Sequence, residues 1–291
     1  MFFEYLSQNA VAFTATVFIF SLLVGSFLNV VIYRIPVMMK KAWQLEIAEF
    51  QEDEKRFNAL KAEPAFNLVK PDSTCPHCGH KIRAWENIPV ISWLFLRGKC
   101  SSCRQGISPR YPIIELTSAM LSAAVAWRFG WGLEAFALIV FMWLMISLTM
   151  IDFDTHLLPD SMTLPLLWAG LLLNLNDTFV SINDSVIGAV AGYLTLWSVY
   201  WLFKLTTGKE GMGFGDFKLF AAFGAWFGWI ALPMIILLSS LVGAVVGITM
   251  ILALGRDRQI PIPFGPYLCG AAVVYIFWGE SIMNWYLGSF V

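Results

Sequence analysis

Long apolar runs, separated by short polar clusters, dominate the hydrophobic pattern of this chain. Runs near 11–33, 113–129, 133–151, 161–175, 185–204, 217–231, 232–254 and 264–288 stand out. Each approaches the roughly 20 residues that an α-helix needs to cross a bilayer, so the pattern predicts an all-α polytopic membrane protein of about eight transmembrane helices. The runs beginning after 160 and after 216 are short enough to be partial or re-entrant segments. Residues 34–112 follow another pattern: Trp43, Ile47, Phe50, Phe57 and Leu60 recur at helical spacing among charged residues. They read as one amphipathic helix, packed on its own domain in preference to the alternative of lying on lipid headgroups. The expected organisation is a first span (1–33), a charge-rich domain (34–112) and a transmembrane core (113–291).

Composition agrees with that class. The chain is 58% hydrophobic and 13% charged, with a mean hydropathy of +0.68, far from a soluble domain. With a net charge of −1 and no long single-sign block, nothing points to nucleic acid and no such partner is expected. Of the 19 Lys and Arg, 13 lie between Arg34 and Arg110. Lys204, Lys209 and Lys218 form a second group, Arg256 and Arg258 a third. Given the spans above, all three groups share one side and only Arg128 lies opposite, which makes that side, and the domain at 34–112, cytoplasmic. Trp127, Trp131, Trp226, Trp229 and Trp285 then fall near the outer boundary, where amphipathic rings prefer to sit. The opening MFFEYLSQNA has no basic residue, and no small-residue cleavage site follows, so a retained first span is expected.

Chemistry concentrates at three places. The first is a pair of Cys-x-x-Cys knuckles, Cys75 with Cys78 and Cys100 with Cys103, 21 residues apart. This spacing predicts a zinc ribbon, because each knuckle offers two thiolates to one tetrahedral Zn²⁺. Four thiolates close the coordination shell, so the metal is expected to hold the fold and not to activate water. His77 and His80 are substitute ligands, and Cys269, alone in an apolar run, is expected to pack. The other two places are span boundaries bearing acids: LTMIDFDTHLLPD, with Asp152, Asp154 and Asp160, and GMGFGDFK, with Asp216.

A carboxylate at a span boundary is costly and calls for a role. Gly211, Gly213 and Gly215 permit close backbone approach to Asp216. No dinucleotide or phosphate loop is spelled here, and no H-E-x-x-H or G-x-S-x-G occurs; His156 reads as polar surface. Two ionised carboxylates ~4 Å apart repel by ~4 kcal/mol at an effective dielectric near 20. One of such a pair keeps its proton, giving a base for water and an acid for a peptide carbonyl, as in aspartic proteases. The residue types leave Asp152, Asp154 and Asp160 open as the partner of Asp216. They also leave open a transporter whose carboxylates carry protons and whose ribbon docks a partner.

These blocks together resemble the type 4 prepilin leader peptidases, bacterial inner-membrane enzymes that cleave prepilins and methylate the new N-terminus. The likeness covers nearly the whole chain: GSFLNVVIYRIP (25–36), the paired knuckles, SPRYPIIELTSA (108–119), IDFDTHLLPD (151–160), GMGFGDFK (211–218) and PIPFGPYLCGA (261–271). The resemblance implies that Asp152 and Asp216, 64 residues apart, are the catalytic pair. It implies type IV prepilins and type II secretion pseudopilins as substrates, cut after glycine behind a basic leader on the cytoplasmic side. It also implies S-adenosylmethionine as donor of the methyl group. No residue is assigned to that donor's pocket; Gly25, Asn29 and Arg34 mark a region to probe, with helix packing as their plainer role. A peptidase lacking methyl transfer is a further alternative.

Overall fold

A computed structural model of the chain describes residues 2–255 and 262–288. Arg256, Arg258 and Pro261 lie outside the described residues. Among those described, the secondary structure is helical, apart from two isolated β-bridges in the cysteine region. The chain forms two compact units, Met1–Ser147 and Leu148–Val291.

In the first unit, a short α1 (Phe2–Gln8) leads into α2 (Ala10–Phe50), whose first turn is capped by Asn9 accepting from the Ala12 N–H. α2 runs antiparallel to α5 (Arg110–Phe129). Small and polar residues line the seam: the Ser118 hydroxyl donates to Ser21 O at 3.0 Å, and a Cβ on Gly25 would meet Glu115 Cα at 2.7 Å. Such close backbone contact is how helices associate where apolar surface gives no advantage over lipid. The expected single amphipathic helix is instead two segments. α2 carries Trp43, Ile47 and Phe50 to its end, and α3 (Glu54–Lys61) folds back against it. The break comes at Glu52, at φ 53°, after which Asp53 caps α3 by accepting from the Arg56 N–H. Further on come a 3₁₀ turn at Ala84–Asn87 and the short α4 (Ile91–Phe95).

The second unit is built around α9 (Phe214–Phe227), where every residue from Asp216 to Phe227 except Lys218 is buried. α7 (Asp160–Leu173) and α8 (Ile182–Thr207) pack on it. Glycines make this possible: a Cβ on Gly188 or Gly224 would strike the other's backbone, and one on Gly192 would meet Phe220 O at 2.7 Å. Asn174 locks the far end of α9, donating to Ala225 O and Trp226 O while accepting from the Phe179 and Val180 N–H groups. Trp226 is buried in this core and donates to Leu166 O at 2.7 Å, so it is not the headgroup-facing ring its position suggested. α10 (Ala231–Leu254) and α11 (Gly265–Gly288) complete the unit with the end of α6 (Leu133–Thr155).

All eight apolar runs are helices, but among the described residues five helices are long and apolar enough to cross a membrane: α2, α6, α8, α10 and α11. α7 and α9 have 14 residues each. At 1.5 Å per residue they reach about 21 Å against a hydrocarbon thickness of about 30 Å. α5 is long enough, but Glu115 and its serines dilute its hydropathy. The chain is a multi-pass membrane protein.

Candidate active site and metal centre

Asp152 stands one turn before the end of α6, and Asp216 in the first turn of α9; their exposures are 5% and 6%. The Gly265 N–H, at the N-terminus of α11, donates to Asp152 Oδ2 at 2.9 Å. A helix N-terminus presents free N–H groups and positive charge, a natural seat for a carboxylate. Only glycine permits this approach, since a Cβ at position 265 would sit 2.6 Å from the same oxygen. Asp216 is seated differently. The turn from Gly213 begins α9, with the Asp216 N–H donating to Gly213 O at 3.2 Å, and its buried Oδ1 has no hydrogen-bond partner among the described residues.

Leu158 brings the two seats together. Positions for a Cβ on Gly215 and on Gly265 both abut its side chain, at 2.7 and 3.2 Å, so the glycines beside the two aspartates enclose one leucine. Cys269, one turn along α11 from Gly265, is buried. The rival carboxylates are elsewhere. Asp160 is exposed and held by Lys218 Nζ at 2.7 Å, and Asp154, two residues past Asp152 on the helix, is exposed. His156 ends α6 at φ 54° and is exposed.

A cleft of about 380 Å³ adjoins this site. Leu196 and Val199 of α8, Ile236 and Gly243 of α10, and Met212 and Phe264 lie on its walls. Met212 is in the glycine turn before Asp216, and Phe264 directly precedes the glycine that binds Asp152. Gly265 and Phe264 lie in the block at 261–271 and Met212 in that at 211–218, but motif reading gave them no role because their contribution is a backbone N–H and a shape. A Gly-Pro pair opening an apolar run was the available signal.

In the first unit the four cysteine sulfurs lie within 4.8 Å of one another, Cys75 and Cys103 at 3.9 Å, and none is in a disulfide. Tetrahedral Zn–S bonds of about 2.3 Å place sulfurs about 3.8 Å apart, so the quartet fits a metal ion of that kind. The knuckles are near copies. Cys75 and Cys100 each accept a backbone N–H from four residues on, donate to a carbonyl five residues on, and are closed by Gly79 and Arg104 at φ 70° and 61°. N–H groups of His77 and Cys78 draw the Cys75 thiol down to about 7. Cys103 goes the other way: the Gln105 N–H favours its thiolate, yet desolvation and the three neighbouring sulfurs push it up to about 11. A divalent cation held by these four sulfurs would reverse that crowding, because a coordinating thiol is deprotonated outright. His80 faces Glu86 and Ser101 at 3.2 and 3.3 Å, a tie across the knuckles in place of a ligand role. The Arg83 N–H, with Ser101 and His80, holds the Glu86 carboxyl down at about 2.

Gly25, Asn29 and Arg34 are engaged in packing. Asn29 donates to Gly25 O and Tyr111 O, and Arg34 to Asn67 O at 2.8 Å and Pro71 O at 2.6 Å.

Residues 19–129 match the Bacterial Peptidase A24 N-terminal domain, and residues 139–248 match the Type IV leader peptidase family. The chain is 55% identical over 287 residues to the prepilin leader peptidase/N-methyltransferase of Stutzerimonas stutzeri, covering 98% of this chain and 97% of the relative. It is 55% identical to that of Aeromonas hydrophila, over 94% of each chain. It is 50% identical to that of Pseudomonas aeruginosa, over 98% of this chain and 97% of the relative. No solved structure matches.

Proposed function

The chain belongs to the type IV leader peptidase family, and on that premise we propose that Asp152 and Asp216 are the carboxylate pair of its peptidase reaction. The protein is an enzyme that removes the leader of type IV prepilins and methylates the N-terminus so exposed. One observation carries the assignment: both aspartates are buried and enclose Leu158 through their neighbouring glycines, while Asp160 pairs with Lys218 and Asp154 faces outward.

In this reading the ionised carboxylate takes a proton from water as its oxygen bonds to the scissile carbonyl carbon, and the protonated partner donates to the carbonyl oxygen. Collapse breaks the C–N bond and returns a proton to the leaving amine. The Gly265 N–H fixes one carboxylate throughout, and the two titrate as a unit. The cleft of about 380 Å³, walled by apolar side chains, takes side chains of the apolar segment that follows the scissile bond of a prepilin or type II secretion pseudopilin.

Eight membrane segments, with α7 and α9 as short crossings, lie in the bacterial inner membrane in this reading. The basic residues of 34–110 put the insertion and both aspartates on the cytoplasmic side. Cys75, Cys78, Cys100 and Cys103 hold a structural Zn²⁺, which would tie the two knuckles together. S-adenosylmethionine supplies the methyl group.

Purified protein incubated with a prepilin and S-adenosylmethionine, followed by mass spectrometry, tests this function. The expected product lacks its leader and carries one added methyl group. A cleaved but unmethylated product identifies a peptidase alone, and intact substrate contradicts the reading.

A further inference from the structure

The stretch between the knuckles, residues 84–96, is unusually apolar for a metal-binding insertion. Trp85, Ile88, Ile91, Leu94 and Phe95 are exposed by 44 to 84%. Most of them border a shallow apolar cleft of about 340 Å³. Burial against water is the ordinary fate of such a cluster, and a patch this continuous marks an interaction surface.

Its register against the helices says which surface. The Val90 N–H donates to Glu115 Oε2 at 2.7 Å, and Asn87 Oδ1 lies 3.5 Å from the Ser26 hydroxyl. Ser26 is eight residues before Arg34 on α2, and Glu115 is five residues after Arg110 on α5. At 1.5 Å per residue the loop therefore touches its helices about 12 and about 8 Å to the apolar side of those arginines. There α2 is itself apolar and outward-facing, with Leu23 and Phe27 exposed. The backbone is shaped for the position: Val90 has φ 60°, in a tight turn in which the Ile91 N–H donates to Pro89 O at 2.5 Å. A β-branched residue seldom adopts that angle, and the buried Glu115 carboxylate bonds the same residue's N–H. Charge matches too. Lys81 pairs with Asp72, but Arg83, Arg97, Lys99 and Arg104 stand against the single acid Glu86 within residues 82–109, with Arg83 and Arg97 at the two ends of the apolar stretch.

We propose that residues 84–96 are a membrane-inserted loop: Trp85, Ile88, Ile91, Leu94 and Phe95 sit among lipid acyl chains beside α2, and Arg83, Arg97 and Lys99 meet anionic headgroups. Apolar side chains flanked by arginine and lysine are the pattern of interfacial insertion. The loop thereby holds the metal knuckles against the bilayer surface. The inference rests on α2 being a membrane span, which its test checks separately.

The test is photocrosslinking of the full-length protein in vesicles of phosphatidylethanolamine and phosphatidylglycerol, with p-benzoylphenylalanine replacing Phe95, Phe20 or Phe50 singly. Phe20 lies exposed within the apolar part of α2, and Phe50, 90% exposed, lies 16 residues beyond Arg34. The expected lipid-adduct yield at position 95 is similar to that at 20 and roughly tenfold above that at 50, as the steep decay of acyl-chain contact outside the interface requires. Lipid adducts at 20 with none at 95, equal yields at 95 and 50, or protein adducts at 95 would each overturn the proposal. Absence of lipid adducts at 20 would remove the span reading along with it.

Discussion

Four thiols in the insertion come from two knuckles 21 residues apart, Cys78 and Cys103 being exposed. Two carboxylates in the second unit come from helices 64 residues apart and sit beside its most buried helix. Each region gathers reactive groups from separate segments, but different forces hold them. The knuckles preset two short turns by backbone hydrogen bonds, are tied to each other through His80 and Ser101, and place four sulfurs where one metal ion fits. The aspartates are placed by helices packed backbone to backbone through Gly188, Gly192 and Gly224, with one carboxylate fastened to the Gly265 N–H. A metal site of this kind should fail by losing its ion. An acid pair of this kind should fail when backbone approach is blocked.

The largest expected effect is on the acid pair itself. Asp152→Asn or Asp216→Asn should lower prepilin cleavage by roughly 10³-fold or more, as loss of a catalytic acid or base does, with zinc content unchanged by elemental analysis. Gly265→Ala comes next. Its methyl group would contact Asp152 Oδ2 at 2.6 Å. A displacement near 1 Å costs about 10²-fold in rate, so kcat should fall by that order while the protein stays inserted and metal-bound. Unchanged kcat would detach Asp152 from the α11 N-terminus. Cys75→Ser or Cys100→Ser should invert the pattern: zinc falls from about one ion per chain to near none, and the insertion becomes sensitive to protease. Cleavage should fall less than in Gly265→Ala. Undiminished zinc would contradict the quartet. Smallest is Lys218→Met, which frees Asp160 from an exposed ion pair worth at most about 1 kcal/mol. Cleavage should remain within about twofold, and a loss like that of Asp152→Asn would bring Asp160 into the mechanism.

The two regions were unequally legible in the sequence. Cys-x-x-Cys repeats are local, and their geometry is nearly complete once the knuckles form, so spacing alone pointed to the quartet. The apolar runs likewise marked every long helix, because burial in lipid leaves a compositional record. The aspartates left none that discriminates. Asp152, Asp154 and Asp160 share one boundary, and which is buried depends on the face α6 turns inward and on Lys218 claiming Asp160. Residue type says nothing of either. Gly265 escaped because its contribution is an N–H, and the break after α2 because Glu52 adopts φ 53° without being a turn-forming residue type. The span count was limited for a related reason. α9 is apolar through burial in protein, and hydropathy does not distinguish that from burial in lipid.

The most direct test of the account is a rate cycle for prepilin cleavage under single-turnover conditions, comparing Asp152→Asn, Asp216→Asn and the double variant. If the two carboxylates act as one acid–base unit, the double variant should be no slower than either single one, since removing either member already disables the pair. Losses that multiply in the double variant, or one single variant that cleaves at the unmodified rate, would contradict it.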